Sequence, residues 1–234
     1  MILIARREKI VTAGRMVYCV SYPVPKYRRE DTPRQRGEKR RASSQWRARV
    51  NRRNSCRRLE QLIFTNFGAG DLYLTLTYRD ECLPGSRREV MGDVKYFRRK
   101  LAQRRQARGE SCRYLYTVEH KTSGGRWHAH MILSGAGSDD LEDIRQSWTK
   151  GFCHIDWYDP KQGEELASYL AKERPDRTGE HPWMASRGLR RPEVDSLLVP
   201  DSARLSIPAG AVVKDRAQVS NSYGEFEYIQ YYLP

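Results

Sequence analysis

Two histidines separated by one residue, His128 and His130, are the side chains of this chain best suited to chemistry. They lie in the segment Trp127–Leu133, whose residues alternate as expected for a β-strand. Residues two apart in a strand point to the same face, so both imidazoles can bind a single divalent metal ion. Taken alone, the pair is equally compatible with two half-buried strand histidines that only form hydrogen bonds.

Glu119 is the candidate for a third ligand, because it ends the predicted strand Arg113–Glu119. The turn residues Thr122–Gly125 predict a hairpin that brings Glu119 beside the histidines. Two imidazoles and one carboxylate leave positions open for substrate oxygens, as a catalytic metal requires. Mixed nitrogen and oxygen ligands suit Mn²⁺ or Mg²⁺ bound with phosphate, although Zn²⁺, Co²⁺ or Ni²⁺ could bind in vitro. His120 is an alternative ligand, but it should point to the opposite face of the strand.

Tyr169 and Lys172 are the candidates for a nucleophile and its cationic partner. They are three residues apart in the predicted helix Glu164–Lys172, and therefore lie on one helix face. A tyrosine phenolate can attack phosphorus and form a covalent phosphotyrosine, and a metal ion and an ammonium group would favour ionisation of the phenol. The chain has 14 tyrosines, however, and a tyrosine on an amphipathic helix is more often a core residue.

Basic residues are concentrated between Lys26 and Arg58. This segment holds fourteen basic and three acidic residues, a net charge of +11 out of +14 for the 234-residue chain. Such clustering indicates a polyanion as partner, and nucleic acid in particular. The candidate DNA-binding residues include further side chains beside the histidines: Arg47, Arg49, Arg52, Arg53, Arg57, Arg126 and Trp127, with Tyr27 and Trp46 as additional aromatic residues for base stacking.

Other sequence features narrow the class of protein. The five cysteines are scattered without CxxC spacing, which argues against a zinc knuckle or a disulfide framework and favours a reducing cytoplasm. No apolar run approaches the roughly 20 residues that span a bilayer, and the first residues do not resemble a signal peptide. The chain has no GxxxxGK[ST] loop, which argues against an ATP-driven motor.

The predicted elements follow the order β-α-β-β-α-β-α from residue 72 onwards, with a helix before them. This order predicts an α+β fold, a ferredoxin-like antiparallel β-sheet with helices packed on it. The predicted strands are Met16–Tyr22, Leu72–Tyr78, Arg113–Glu119, Trp127–Ser134 and Phe152–Trp157, and the predicted helices are Arg41–Phe67, Asp93–Arg108, Asp140–Lys150 and Glu164–Lys172. The third helix is expected to bury Leu141, Ile144 and Trp148. Two strand-like segments, Ala211–Val213 and Glu225–Tyr231, have no predicted place.

Three of these segments together resemble the HUH endonucleases, specifically the rolling-circle replication initiators (Rep proteins) of small phages and plasmids. Leu72–Tyr78 (LYLTLTY) resembles their first motif. His128–Leu133 (HAHMIL) resembles the second, although Ala129 is smaller than the usual middle residue. Tyr169–Lys172 (YLAK) resembles the third, and Glu119 stands where related initiators have their acidic ligand. The motifs occur in the family's order, over about half of the chain.

The resemblance implies a specific activity. Such enzymes nick single-stranded or hairpin origin DNA through a 5′-phosphotyrosine and later rejoin the strand at the same site. It implies Tyr169 and Lys172 as catalytic residues, His128, His130 and Glu119 as metal ligands, and Mn²⁺ or Mg²⁺ as cofactor. Positions 165 and 173 are glutamates, so the chain resembles the single-tyrosine enzymes rather than those with Tyr-x-x-x-Tyr.

The resemblance also implies an organisation and partners. We expect a basic N-terminal extension at 1–56, with a short strand and the start of a helix, and an HUH endonuclease domain at 57–182. A C-terminal extension at 183–234 would be part of that domain or an accessory DNA-binding segment. A host helicase and a polymerase are expected partners in the cytoplasm of a bacterial host, and no membrane is expected.

Two alternatives remain open at this point. A transposase or relaxase of the same superfamily would use the same site, but relaxases usually have three histidines and small single-strand transposases are usually shorter. A non-catalytic ferredoxin-like nucleic-acid-binding protein would require the histidine pair, Glu119 and the Tyr169–Lys172 pair to be coincidental. A metallohydrolase barrel would normally need a longer chain and further ligands.

Overall fold

A computed structural model describes residues 5–24, 44–120, 125–135, 137, 139–170, 181–221 and 224–234. Over these residues the chain forms ten β-strands and four α-helices. The strands are β1 (Ala5–Ala13), β2 (Met16–Pro23), β3 (Leu72–Leu76), β4 (Tyr114–His120), β5 (Trp127–Leu133), β6 (Cys153–Trp157), β7 (Trp183–Ala185), β8 (Glu193–Pro200), β9 (Val212–Asn221) and β10 (Gly224–Tyr232). The helices are α1 (Ser44–Asn66), α2 (Arg87–Ala107), α3 (Asp140–Ser147) and α4 (Gly163–Leu170).

The strands form two antiparallel five-stranded sheets, and the helices pack on the second of them. The α+β prediction, with helices packed on an antiparallel sheet, is confirmed. The chain divides into two compact units, one made of Met1–Asn54 and Arg191–Pro234 and the other of Ser55–Arg190. In the described part, no helix has both the length and the apolar character needed to cross a membrane.

The first sheet, in the order β8-β1-β2-β10-β9, joins the two ends of the chain. The two C-terminal segments that had no predicted place lie in β9 and β10. Strand β10 pairs with β2, so that Tyr231 lies opposite Val17. Val17, Cys19, Ile229 and Tyr231 are buried together as a small core. The predicted extensions at 1–56 and 183–234 thus contribute strands to a common sheet.

The second sheet, in the order β6-β3-β5-β4-β7, has one helix layer on each face. On one face, Leu72, Leu74 and Leu76 of β3 pack with Val94 and Phe97 of α2. On the other face, buried residues of the sheet pack with the end of α1 and with α4; they are Leu115 and Ile132 with Leu59, Ile63, Phe67, Ala167 and Leu170. The buried faces predicted for α1 and α2 are confirmed in these contacts.

Helix α2 starts six residues earlier than its predicted start at Asp93. Ser86 is its N-cap, and the Ser86 hydroxyl accepts a hydrogen bond from the backbone N–H of Glu89 and donates one to the Glu89 carboxylate. This Ser-x-x-Glu capping box satisfies N–H groups of the first turn, which explains the early start. Asp93 lies inside the helix instead and pairs with Lys150.

The buried face predicted for the third helix is wrong at one residue. Ile144 and Trp148 are buried, as predicted, but Leu141 is 47% exposed. Helix α3 has eight residues, and Asp140 and Asp143 take its inner positions by pairing with Arg105 and Arg108 of α2. Two ion pairs therefore occupy space that the hydrophobic pattern assigned to a leucine.

Candidate functional site

Strands β3, β5 and β4 lie side by side and carry the candidate metal ligands. The predicted hairpin is confirmed by the register of β4 and β5, in which Glu119 lies opposite His128 and Thr117 opposite His130. Thr75 of β3 lies opposite His130 on the other side. Since strand side chains alternate, the polar residues of these strands share one face of the sheet. Helix α4 packs on this same face.

Three side chains from three elements converge at this face. The Tyr169 hydroxyl donates a hydrogen bond to Oε2 of Glu119 at 2.5 Å, and it lies 3.2 Å from Nε2 of His130. The same His130 Nε2 is 3.0 Å from Oε2 of Glu119. His130 is 6% exposed and the Glu119 side chain is 13% exposed. The structure thus brings together the predicted nucleophile and two of the predicted ligands in a largely buried cluster.

The second ring nitrogen of His130 faces two hydroxyl groups of β3. Its Nδ1 lies 3.1 Å from the Tyr73 hydroxyl and 3.3 Å from the Thr75 hydroxyl. Burial, and next the nearby Glu119 charge, raise the pKa of Tyr73 to about 12. Tyr73 therefore stays protonated near neutral pH. If Nδ1–H donates to these oxygens, the lone pair of Nε2 is directed towards Glu119 and Tyr169.

The cluster has the donor set and one ligand spacing that suit a divalent metal ion. Two atoms that each lie about 2.1 Å from an ion, at right angles, are about 3.0 Å apart. Oε2 of Glu119 and Nε2 of His130 are 3.0 Å apart. His128 supplies a further imidazole on the same face, with its ring centroid 6.4 Å from that of His130. Within the described ranges, no three His, Cys, Asp or Glu side chains form a ready-made metal cluster.

The predicted DNA-binding residues fall into three groups. Arg53 and Arg57 are exposed on α1. Arg126 and Trp127 have partners within the protein: Arg126 pairs with Asp80, and Trp127 packs beside His120 with ring centroids 4.5 Å apart. Four other residues belong to α1, but their side chains lie outside the described part of the structure: Trp46, Arg47, Arg49 and Arg52.

Three further parts of the prediction can be placed or bounded. Nε2 of His120 lies 3.1 Å from the Gly125 carbonyl oxygen, so the alternative ligand contacts its own turn. Lys172 and Tyr27 lie outside the described residues, as does most of the turn Thr122–Gly125.

Sequence reasoning missed Tyr73 and Thr75 as site residues. The segment LYLTLTY was taken as a strand and a motif, without a role for its polar positions. The signal was available in the alternation, because Leu72, Leu74 and Leu76 fill one face and leave the residues between them for the other. A regular hydrophobic–polar alternation in a strand covered on both faces indicates that the polar face serves a site.

Comparison with known families agrees with this arrangement at the level of replication. Residues 71–174 match the model of a family described as replication-associated protein ORF2. The matched range contains β3, β4, β5 and α4, and with them every side chain of the cluster. No curated protein and no solved structure gives a match. The family description is consistent with a rolling-circle Rep protein.

Proposed function

We propose that this protein is a DNA nickase and strand transferase that initiates rolling-circle replication. The observation that carries the proposal is the contact of the Tyr169 hydroxyl with Glu119 and His130, on the elements that resemble the three Rep motifs. The match to a replication-associated family supports the same role over a transposase or relaxase.

In the proposed reaction, the Tyr169 oxygen attacks the scissile phosphorus. A bond forms between this oxygen and phosphorus, and the bond between phosphorus and the 3′ oxygen of the preceding nucleotide breaks. The phenol proton passes to the Glu119 carboxylate, which already accepts it in a hydrogen bond at 2.5 Å. The 3′ oxygen takes up a proton and leaves as a free hydroxyl that can prime synthesis. Rejoining is the reverse step, in which a 3′ hydroxyl attacks the phosphotyrosine.

Glu119, His130 and His128 are the residues proposed to hold a divalent ion, Mn²⁺ or Mg²⁺. The ion, when bound, would polarise the scissile phosphate and offset its negative charge. Tyr73 and Thr75 orient His130 through Nδ1, and this fixes which nitrogen faces the ligand position. Lys172 is proposed to neutralise charge on the tyrosine or the phosphate.

The proposed substrate is single-stranded or hairpin origin DNA. The segment from Lys26 to Arg58 carries a net charge of +11, which suits contact with DNA phosphates and predicts strongly salt-dependent binding. Arg53 and Arg57 are exposed on α1 and available for such contacts. Without a nucleotide-binding loop of the GxxxxGK[ST] type, the chain is proposed to rely on a host helicase to open the duplex and on a host polymerase for synthesis.

The test is the formation of a covalent adduct. The purified chain is incubated with labelled single-stranded origin hairpins and Mn²⁺ or Mg²⁺, and the products are separated on a denaturing gel. We expect a protein–DNA adduct and a cleaved strand, both lost on addition of EDTA and restored by Mn²⁺. In Tyr169→Phe the adduct should be absent and cleavage reduced by about 10³-fold or more.

Tyr96→Phe is the matched control, because Tyr96 is an exposed tyrosine on α2 outside the cluster. It should form the adduct at the wild-type level. An adduct that persists in Tyr169→Phe would disprove the assignment of the nucleophile. Tight binding without cleavage, across a wide set of origin hairpins, would instead favour the non-catalytic binding protein.

A further inference from the structure

A cleft of about 420 Å³ opens beside the cluster and has no role in the reaction described above. It is lined by the end of β6, the turn that follows, and α4, and it reaches Tyr73 and Tyr169. Sites for small molecules commonly have volumes of about 300–1,000 Å³. The cleft therefore has room for one nucleobase next to the candidate nucleophile.

The charge of the cleft is opposite to that of the chain. Its lining includes the carboxylates of Asp156, Asp159 and Glu165, and no lysine or arginine among the described residues. Asp156 contacts His154 at 3.1 Å, and Asp159 accepts a hydrogen bond from the backbone of Lys161. A DNA phosphate would be repelled by this lining, whereas the N–H groups of a base edge would be accepted.

Glu165 has the most direct relation to the nucleophile. It precedes Tyr169 by four residues in α4, so both side chains lie on the same face of the helix. The helix is held in this rotation by Ala167 and Leu170, which are buried against the sheet. A group bound by Glu165 therefore lies one helical turn from the candidate nucleophile.

Two aromatic residues of the cleft support a flat ligand. Trp157 is 74% exposed, and an indole in contact with water offers a stacking surface for a base. Tyr158 is 4% exposed, and among the described residues its hydroxyl has no hydrogen-bond partner. Gly163 leaves room for this hydroxyl, because a Cβ there would lie 2.7 Å from it. A buried polar group without a partner is costly, and a ligand in the cleft could satisfy it.

We propose that this cleft binds a guanine of the single strand, next to the scissile phosphate. Trp157 stacks on the base, and the Glu165 carboxylate accepts two hydrogen bonds from N1–H and the 2-amino group. Guanine is the DNA base with two adjacent N–H donors on its Watson–Crick edge, and this pair matches the two oxygens of a carboxylate. The inference rests on the proposed function, which it deepens by naming a determinant of origin specificity.

The test measures base preference in binding, without cleavage. The full chain is titrated in EDTA against labelled dT₁₂ oligonucleotides with one central guanine, inosine, adenine or cytosine, and binding is followed by fluorescence anisotropy. We expect guanine to bind about tenfold more tightly than adenine or cytosine. Inosine lacks the 2-amino group and should fall between them. A uniform affinity for all four oligonucleotides would overturn the proposal.

Variants separate the two contacts. Glu165→Gln should remove the preference for guanine, while Glu81→Gln, at an exposed position outside the cleft, should retain it. Trp157→Ala should weaken binding of every oligonucleotide by about tenfold, and Trp157→Phe should restore much of the loss. A guanine preference that survives Glu165→Gln would refute the role of that carboxylate. Because nicking is not measured here, loss of base preference with adduct formation intact overturns the cleft alone, and absence of the Tyr169 adduct overturns the proposed function alone.

Discussion

The two faces of the second sheet differ in composition although they share the same backbone. On one face, Leu72, Leu74 and Leu76 of β3 are almost completely buried against α2. On the other, Tyr73 and Thr75 of the same strand contact His130. One strand thus contributes to the hydrophobic core and to the site in alternate residues. Side chains of a site that stand on core strands are held more rigidly than side chains on loops, and this favours a fixed geometry for phosphoryl transfer.

The largest difference between the faces should follow from His130→Ala. The substitution removes a proposed ligand, and a metal's stabilisation of several kcal/mol corresponds to a loss of about 10³-fold in the nicking rate. Affinity for single-stranded DNA should stay within about twofold, because the phosphate contacts lie elsewhere. Nicking rates and anisotropy titrations measure the two effects separately.

His181→Ala is the control for this prediction, because His181 is exposed and outside the cluster. It should nick DNA at the wild-type rate. Metal-dependent nicking that survives His130→Ala would show that the metal site has been assigned to the wrong residues.

Leu74→Ala tests the opposite face. Leu74 is completely buried in the core of the second sheet, so the substitution should lower the free energy of unfolding by about 2–5 kcal/mol. Leu141→Ala, at a leucine that is 47% exposed, should change it by less than about 0.5 kcal/mol. Urea unfolding followed by circular dichroism gives both values. Equal effects of the two substitutions would contradict the assignment of Leu74 to the core.

Tyr73→Phe and Thr75→Val remove the hydroxyl groups that face Nδ1 of His130. Since partners of a metal-binding histidine fix its tautomer and orientation, each variant should weaken Mn²⁺ binding by about 10- to 100-fold. Isothermal titration calorimetry measures the affinity. Thr77→Val is a suitable control, because the Thr77 hydroxyl bonds to the Phe152 carbonyl instead. Unchanged Mn²⁺ affinity in both site variants would show that these hydroxyls do not orient His130.

The smallest effect concerns alkaline pH. Burial raises the pKa of Tyr73 from 10 to about 12, so the unfolded chain loses this proton at a lower pH than the folded protein. The contribution of Tyr73 to stability is therefore complete below pH 10 and is lost as the pH rises through 12. Between pH 9 and 12, the stability difference between wild type and Tyr73→Phe should fall by on the order of 1–2 kcal/mol. A difference that is constant over this range would contradict the shift.

Local patterns predicted most of the secondary structure. The strands of the second sheet follow from alternation of apolar residues, and α1 and α2 follow from their apolar faces. Prediction was less successful where interactions other than hydrophobic periodicity decided. The Ser86–Glu89 capping box moved the start of α2, and the Arg105–Asp140 and Arg108–Asp143 pairs displaced Leu141 from the core.

The sequence by itself determined which residue types the site has and in which order they occur. His128, His130, Glu119 and Tyr169 were identified from spacing and from resemblance to the Rep motifs, and the residues of β3 were identified as a strand. The sequence also located the concentration of positive charge before residue 58. These are properties of short segments, and a short segment shows them without its neighbours.

Only the tertiary structure decided which atoms meet. Tyr169 is 50 residues from Glu119 and 39 from His130, and their contact depends on the register of β4 with β5 and on the rotation of α4 over the sheet. The pairing of β2 with β10, and the cleft between β6 and α4, depend in the same way on packing between distant segments. Such contacts are set by burial and hydrogen bonding summed over several elements, and no single segment of the sequence contains that information.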